Sequence, residues 1–216
     1  FNVCTVIVIL PLNETLVKLV CRLIPDAASD AEENAFKLRY VDDNMLRTPP
    51  LAVEQVKNEI IRMSHLAMDN FDRSIEIITS LNFSKRGVFD KTEEEINFIN
   101  RALVDFVVKL SNKSALSERD HIYLSTTFRS IRDIERIGDY AENIVEYADG
   151  LMREGSSFSD KALEEIRQLS KLIHDLYDKV LKAYTDEDYN YMAQANIIEE
   201  QIDDFTKMME DNHIGR

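Results

Sequence analysis

Cysteine is almost missing from this chain of 216 residues: Cys4 and Cys21 fall near its start and none follows. Two thiols exclude a disulfide scaffold and a four-thiolate zinc site, and the cysteine-free remainder suits a reducing compartment. Proline is as scarce, with only Pro11, Pro25, Pro49 and Pro50, and the glycines are Gly87, Gly138, Gly150, Gly155 and Gly215. Strands need turn residues far more often than this. A β-rich fold is therefore excluded, and long helices with few connections are predicted. Basic charge is short too: 26 Lys and Arg against 40 Asp and Glu leave a net charge of −14. With no basic block, that balance argues against nucleic acid as a partner. The longest apolar run falls short of the about 20 residues that a bilayer takes.

What is present fits a folded protein. Hydrophobic residues make up 44% and charged residues 31%, too apolar a composition for disorder. The fold class is all-α. Over residues 1–25 an apolar N-terminal helix is expected: from Phe1 to Leu12 only Asn2 and Thr5 are polar, and then Glu14, Lys18 and Arg22 recur along one stripe. It reads either as the end of a membrane helix whose Lys18 and Arg22 reach the interface, or as a core or docking helix. A signal peptide fits less well, because no basic segment precedes the apolar run. Residues 26–47 are polar and acidic and read as a linker, with Phe36, Leu38, Tyr40 and Val41 as candidates to dock as a short extended piece.

Thr48-Pro49-Pro50 announces the first helix, a threonine N-cap followed by prolines where missing N–H groups cost nothing. Its apolar stripe is Val53, Val56, Ile60, Met63, Ala67, Phe71 and Ile78, ending near residue 81. A turn around Gly87 then leads to Thr92-Glu93-Glu94-Glu95, which reads as a capping box starting the second helix. The second stripe is Ile96, Ile99, Leu103, Phe106, Val107 and Leu110; the third helix, 118–153, carries Leu124, Phe128, Ile131, Ile134, Ile137, Ala141, Ile144, Val145 and Ala148. Such stripes bury themselves only against one another, as an antiparallel bundle. After Gly150 and Gly155 the plan restarts with helices over 159–184 and 186–213. Glu93-Glu94-Glu95-Ile96-Asn97 corresponds to Glu199-Glu200-Gln201-Ile202-Asp203. The expected organisation is a first three-helix repeat over 48–155 and an incomplete second one over 156–216.

Gly150 to Gly155 imitates a phosphate loop in glycine spacing only, since Ser156 and Ser157 stand where lysine and a hydroxyl residue are needed. His65, His121, His174 and His213 are scattered, and surface or cap roles are expected for them. No serine or cysteine lies in a nucleophile motif, so nothing points to an enzyme. The carboxylates stand out more. At 100° per residue Glu135, Asp139, Glu142 and Glu146 fall within about 60° of one another beside the third stripe. Glu93, Asn97 and Asn100 flank the second stripe, and Glu199, Asp203 and Thr206 hold matching positions on the fifth helix. Converging oxygens would suit Mg²⁺, Ca²⁺, Mn²⁺ or iron. The competing reading is a solvated acidic face, and Glu93 has a ready explanation as a helix N-terminal residue favoured by the dipole.

The run Asp133-Ile134-Glu135-Arg136-Ile137-Gly138-Asp139-Tyr140-Ala141-Glu142-Asn143-Ile144 resembles the signature of the PhoU family, regulators of phosphate uptake built from two three-helix repeats. The resemblance implies metal-binding motifs at Glu135/Asp139, at Glu199/Asp203 and at Glu93/Asn97, where asparagine replaces the family's aspartate. Glu135, Asp139, Glu199 and Asp203 are thus expected to hold a cation more strongly than Glu93 and Asn97. Leu10-Pro11, Leu16-Val17-Lys18-Leu19 and Leu23-Ile24-Pro25 are similar to the last membrane segment of bacterial sodium/phosphate cotransporters with a PhoU-like cytoplasmic domain. That similarity implies a membrane transporter portion of the same chain as partner, with the bundle on the cytoplasmic side of the cell membrane, and a second copy or a signalling protein as further partners. The alternative is a ligand-free helical interaction or dimerisation module.

Overall fold

A computed structural model describes residues 36–214, with side chains to residue 212. The expected apolar helix over residues 1–25, with both cysteines, lies outside the described residues. The chain divides between Lys37 and Leu38 into two units, and everything below concerns the second.

Five α-helices follow a short 3-10 turn at Asp43–Arg47: α1 Pro49–Ser80, α2 Arg86–Ser111, α3 Glu118–Glu154, α4 Asp160–Asp186 and α5 Tyr189–Ile214. Among the described residues there is no strand. The prolines sit in the first two positions of α1, where they cost no hydrogen bond. Thr48 is the N-cap residue, yet its hydroxyl donates backwards to the Met45 carbonyl at 3.4 Å. Leu81 ends α1 with φ 52°, and its N–H donates to the Ile77 carbonyl. The α3 start is better capped. Ser117 accepts from the Asp120 N–H, and the Asp120 carboxylate accepts from Ser117 in return. At the other end Gly155 takes φ 64°, a left-handed conformation that suits glycine. Gly150 lies inside α3, so the false phosphate loop is mostly helix.

Helices α1, α2 and α3 pack on one another in a three-helix bundle. Its core runs through Val56, Ile60 and Met63 of α1, Ile96, Ile99 and Leu103 of α2, and Leu124 and Ile131 of α3, all at most 4% exposed. A second cluster at the other end joins Ile77, Phe89, Ala141, Val145 and Ala148. These are the stripes expected from the periodicity. The pair α4 and α5 forms a hairpin whose α4 also touches α1. There the outcome differs: Leu163, Ile166, Leu169, Ile173 and Leu176 are only half-buried, and Val180 is exposed. Two helices cover one side of each apolar stripe, whereas three close around it.

The segment before α1 does dock. Val41 is buried in the bundle core and Leu38 packs beside it, while Tyr40 is exposed. Its anchor is Glu59, which is wholly buried. Glu59 accepts from the N–H groups of Arg39 at 2.8 Å and Tyr40 at 2.7 Å, and from Nε of Arg62 at 2.7 Å. Arg62 reaches on to Glu95 of α2 at 2.6 Å.

The expected start of the second helix is wrong. Thr92 is not an N-cap: α2 begins at Arg86, Gly87 lies in its first turn, and the Thr92 hydroxyl donates to the Val88 carbonyl one turn back. The true connection is the short stretch after Ser80. Thr92 and Glu93 are both buried inside the helix, so the local capping pattern was a coincidence of residue types. This removes the dipole explanation for Glu93.

Candidate functional site

Glu93 is the centre of the site. It lies two turns into α2, 6% exposed, on the side that meets α3. Room for its carboxyl group is left there by Gly138 of α3. A Cβ at that position would stand 2.7 Å from Oε2 and 3.0 Å from Oε1 of Glu93, closer than carbon and oxygen tolerate. This is why the isolated glycine sits in the middle of a long helix despite a cost of about 1 kcal/mol relative to alanine.

Amides hold the carboxyl group. Asn97, one turn along α2, donates to Oε1 at 3.3 Å. Asn70 of α1, wholly buried, donates to the Phe89 carbonyl at 3.1 Å and more loosely to Oε2 of Glu93 at 3.5 Å. Arg73 orients Asn70 by donating to its Oδ1 at 2.9 Å. Burial pushes the Glu93 carboxyl up from its ordinary 4.5 to about 7. The Asn70 hydrogen bond opposes that rise, and the negative charges of Glu142, Asp139 and Glu135 add to it. A carboxyl so placed takes up and releases a proton near neutrality.

Of the six expected ligands, Glu93 and Asn97 on α2 share a neighbourhood with Glu135 and Asp139 on α3. Glu135 is half-exposed and Asp139 exposed. Glu199 and Asp203 are exposed on α5, which packs on α4, and they are not among the charges acting on Glu93. Among the described residues no three His, Cys, Asp or Glu side chains are grouped so as to hold a metal ion. The two Glu93 oxygens are matched by the amide donors of Asn97 and Asn70.

Sequence reasoning missed Asn70, Gly138 and the Glu59–Arg62–Glu95 chain. The mid-helix glycine was a readable signal. Asn70 and Glu59 gave none, because a polar residue on an apolar stripe is intelligible only once its partner on another element is known. Two histidines also do more than sit on the surface. His174 of α4 pairs with Asp72 of α1 at 2.6 Å, and His65 of α1 bonds the Tyr177 hydroxyl at 3.0 Å.

Fold and site together define an all-helical bundle whose second and third helices close around a buried carboxyl group facing a glycine. Residues 60–148 match the family model of the PhoU domain, over the segment that ends α1, spans α2 and covers most of α3. It is also similar to the phosphate-specific transport system accessory protein PhoU homolog of Synechocystis sp., at 24% identity over 153 residues, which cover 71% of this chain and 67% of that protein. No solved structure matches the chain. No described helix is long and apolar enough to cross a membrane.

Proposed function

We propose that this chain is a regulatory PhoU-type domain that controls phosphate uptake by a sodium-dependent transporter, working by contact rather than by catalysis. The observation that carries the reading is the PhoU match over residues 60–148, which includes the α2–α3 contact at Glu93 and Gly138. The name of the Synechocystis relative, an accessory protein of phosphate transport, supports the same role. The finer parts rest on the sequence: the apolar residues 1–25 attach the bundle to the cell membrane next to the transport path, and the bundle lies on the cytoplasmic side. The organisation proposed is one three-helix repeat over 48–155 followed by the first two helices of another. The test is phosphate uptake in cells producing the chain and in cells lacking it, in sodium and in potassium medium. A change confined to sodium medium is expected. Identical uptake with and without the chain overturns the reading.

A second reading, regulation through a bound cation, is favoured by one observation: Glu135, Asp139 and Glu142 repel the charge on Glu93, and a divalent cation would relieve that repulsion. It confines the cation to α2 and α3 and leaves out Glu199 and Asp203.

A further inference from the structure

We infer that the α4–α5 hairpin is a reversible arm, anchored at its α3 end and held along α1 by a polar seam that opens without unfolding either part. The seam runs along the middle of α1 at heptad spacing: Lys57 and Ser64 are seven residues apart, as are His65 and Asp72. Opposite them, Glu187 accepts from Lys57 at 3.4 Å, Tyr177 bonds Ser64 at 3.1 Å and His65 at 3.0 Å, and His174 pairs with Asp72 at 2.6 Å. Helix α3 adds two contacts of the same kind, Arg119 with Glu187 at 2.8 Å and Tyr123 with Tyr184 at 2.6 Å. The bundle core is built largely from Ile, Leu, Val and Met, whereas, beside the apolar contacts of Tyr184 and Phe158, the arm meets the bundle through hydroxyls, imidazoles and partly exposed ion pairs. Such groups exchange protein partners for water at little net cost. Polar contacts of this kind let packed parts move against each other.

The two ends of the arm differ as a hinge requires. Near α3, Phe158 packs against the cluster of Phe89, Val145 and Ala148 and fixes the pivot. Gly155 at φ 64° and the exposed Ser156 and Ser157 join it to α3, so the change of direction falls after it, at Ser159, the N-cap of α4. At the far end a cleft of about 780 Å³ lies beside the seam, lined by Val53 and Met192 and bounded by the bonded pair Tyr123 and Tyr184. Within the arm, by contrast, Asn212 of α5 donates to the buried Glu165 of α4 at 3.1 Å, and Ala195 is 3% exposed. The hairpin therefore moves as one piece, and its release uncovers the α1 row from Lys57 to Asp72.

The experiment places spin labels at the exposed positions Glu94→Cys on α2 and Gln201→Cys on α5, with Cys4→Ser and Cys21→Ser, and reads the distance distribution by dipolar spectroscopy. Two populations are expected. The longer one should grow severalfold when Glu187→Gln and His174→Ala are introduced, with helix content by circular dichroism unchanged. The same growth is expected in the unsubstituted seam on going from about 0.1 M to about 1 M salt, because the ion pairs are screened. A single distance that responds neither to the substitutions nor to salt overturns the inference. So does a longer population that appears only as helix is lost, since the arm would then unfold rather than swing.

Discussion

Replacing Glu93 by glutamine should make the bundle more stable at neutral pH and leave the difference from wild type constant in acid. The carboxyl has a pKa of about 7 in the fold and an ordinary value of 4.5. Below pH 4.5 it is protonated in both the folded and the unfolded chain and contributes no pH dependence. Between 4.5 and about 7 the unfolded chain gives up its proton while the folded one keeps it, so wild-type stability falls as pH rises. A tenfold difference in proton affinity between the two states is worth about 1.4 kcal/mol, which puts the whole loss at up to about 3 kcal/mol, complete above pH 7. Glutamine keeps one oxygen, which accepts from Asn97 or from Asn70 but not from both, since they donate to different oxygens of Glu93, and it has no charge to bury. The variant-minus-wild-type difference should be flat below pH 4.5, climb through the window and level off above pH 7. At pH 8 this corresponds to about 6–12 °C in melting temperature for a domain of this size. The assay is urea unfolding followed by circular dichroism from pH 4 to pH 8, with a chelator present. Parallel curves for the two proteins would refute the burial of an ionisable group at the α2–α3 contact.

Other outcomes follow from the same contacts. Gly138→Ala should forfeit the about 1 kcal/mol that alanine brings to a helix, because its Cβ displaces the Glu93 carboxyl; in a Glu93→Ala background it should recover that gain, and equal effects in both backgrounds by chemical denaturation would disprove the coupling. Glu59→Ala leaves the Arg39 and Tyr40 N–H groups and Arg62 without their shared acceptor and should cost about 3–5 kcal/mol. Limited proteolysis should then cut near residue 40 in the variant and not in wild type. Mn²⁺ added at pH 8 should raise the wild-type melting temperature more than that of Asp139→Asn, with Asp203→Asn behaving like wild type. Equal shifts in all three would rule out a cation at α2 and α3.

Much of the fold was readable because apolar residues recur with helical period. Val56, Ile60, Met63, Ile96, Leu103 and Ile131 fall on stripes by spacing alone, and all are buried. Helix ends were readable where local chemistry decides them, as at Pro49 and Gly155. The start of α2 was not, for a physical reason: Thr92-Glu93-Glu94-Glu95 has the residue types of a cap, but Phe89 is 1% exposed in the second core cluster, and that burial draws the helix back to Arg86. The α2–α3 part of the site was legible as carboxylates and amides beside the seam. The packing of Gly138 on Glu93, and the support from Asn70 on a third helix, depend on contacts between elements that no spacing within one helix encodes. Glu199 and Asp203 matched Glu93 and Asn97 in sequence position and not in burial, because α5 has one neighbouring helix at that level where α2 has two.

The most direct test of the proposed control of phosphate uptake is the uptake of labelled inorganic phosphate in cells producing the wild-type chain or Gly138→Leu. A leucine side chain there drives the Glu93 carboxyl, which a single Cβ already meets at 2.7 Å, out of its place beside Asn97 and Asn70 at the α2–α3 contact. Wild type should alter sodium-dependent uptake, and the variant, at equal abundance and with its helices retained, should leave uptake as it is without the chain. Uptake altered equally by wild type and variant would contradict the account, because control of phosphate entry would then not run through the α2–α3 contact.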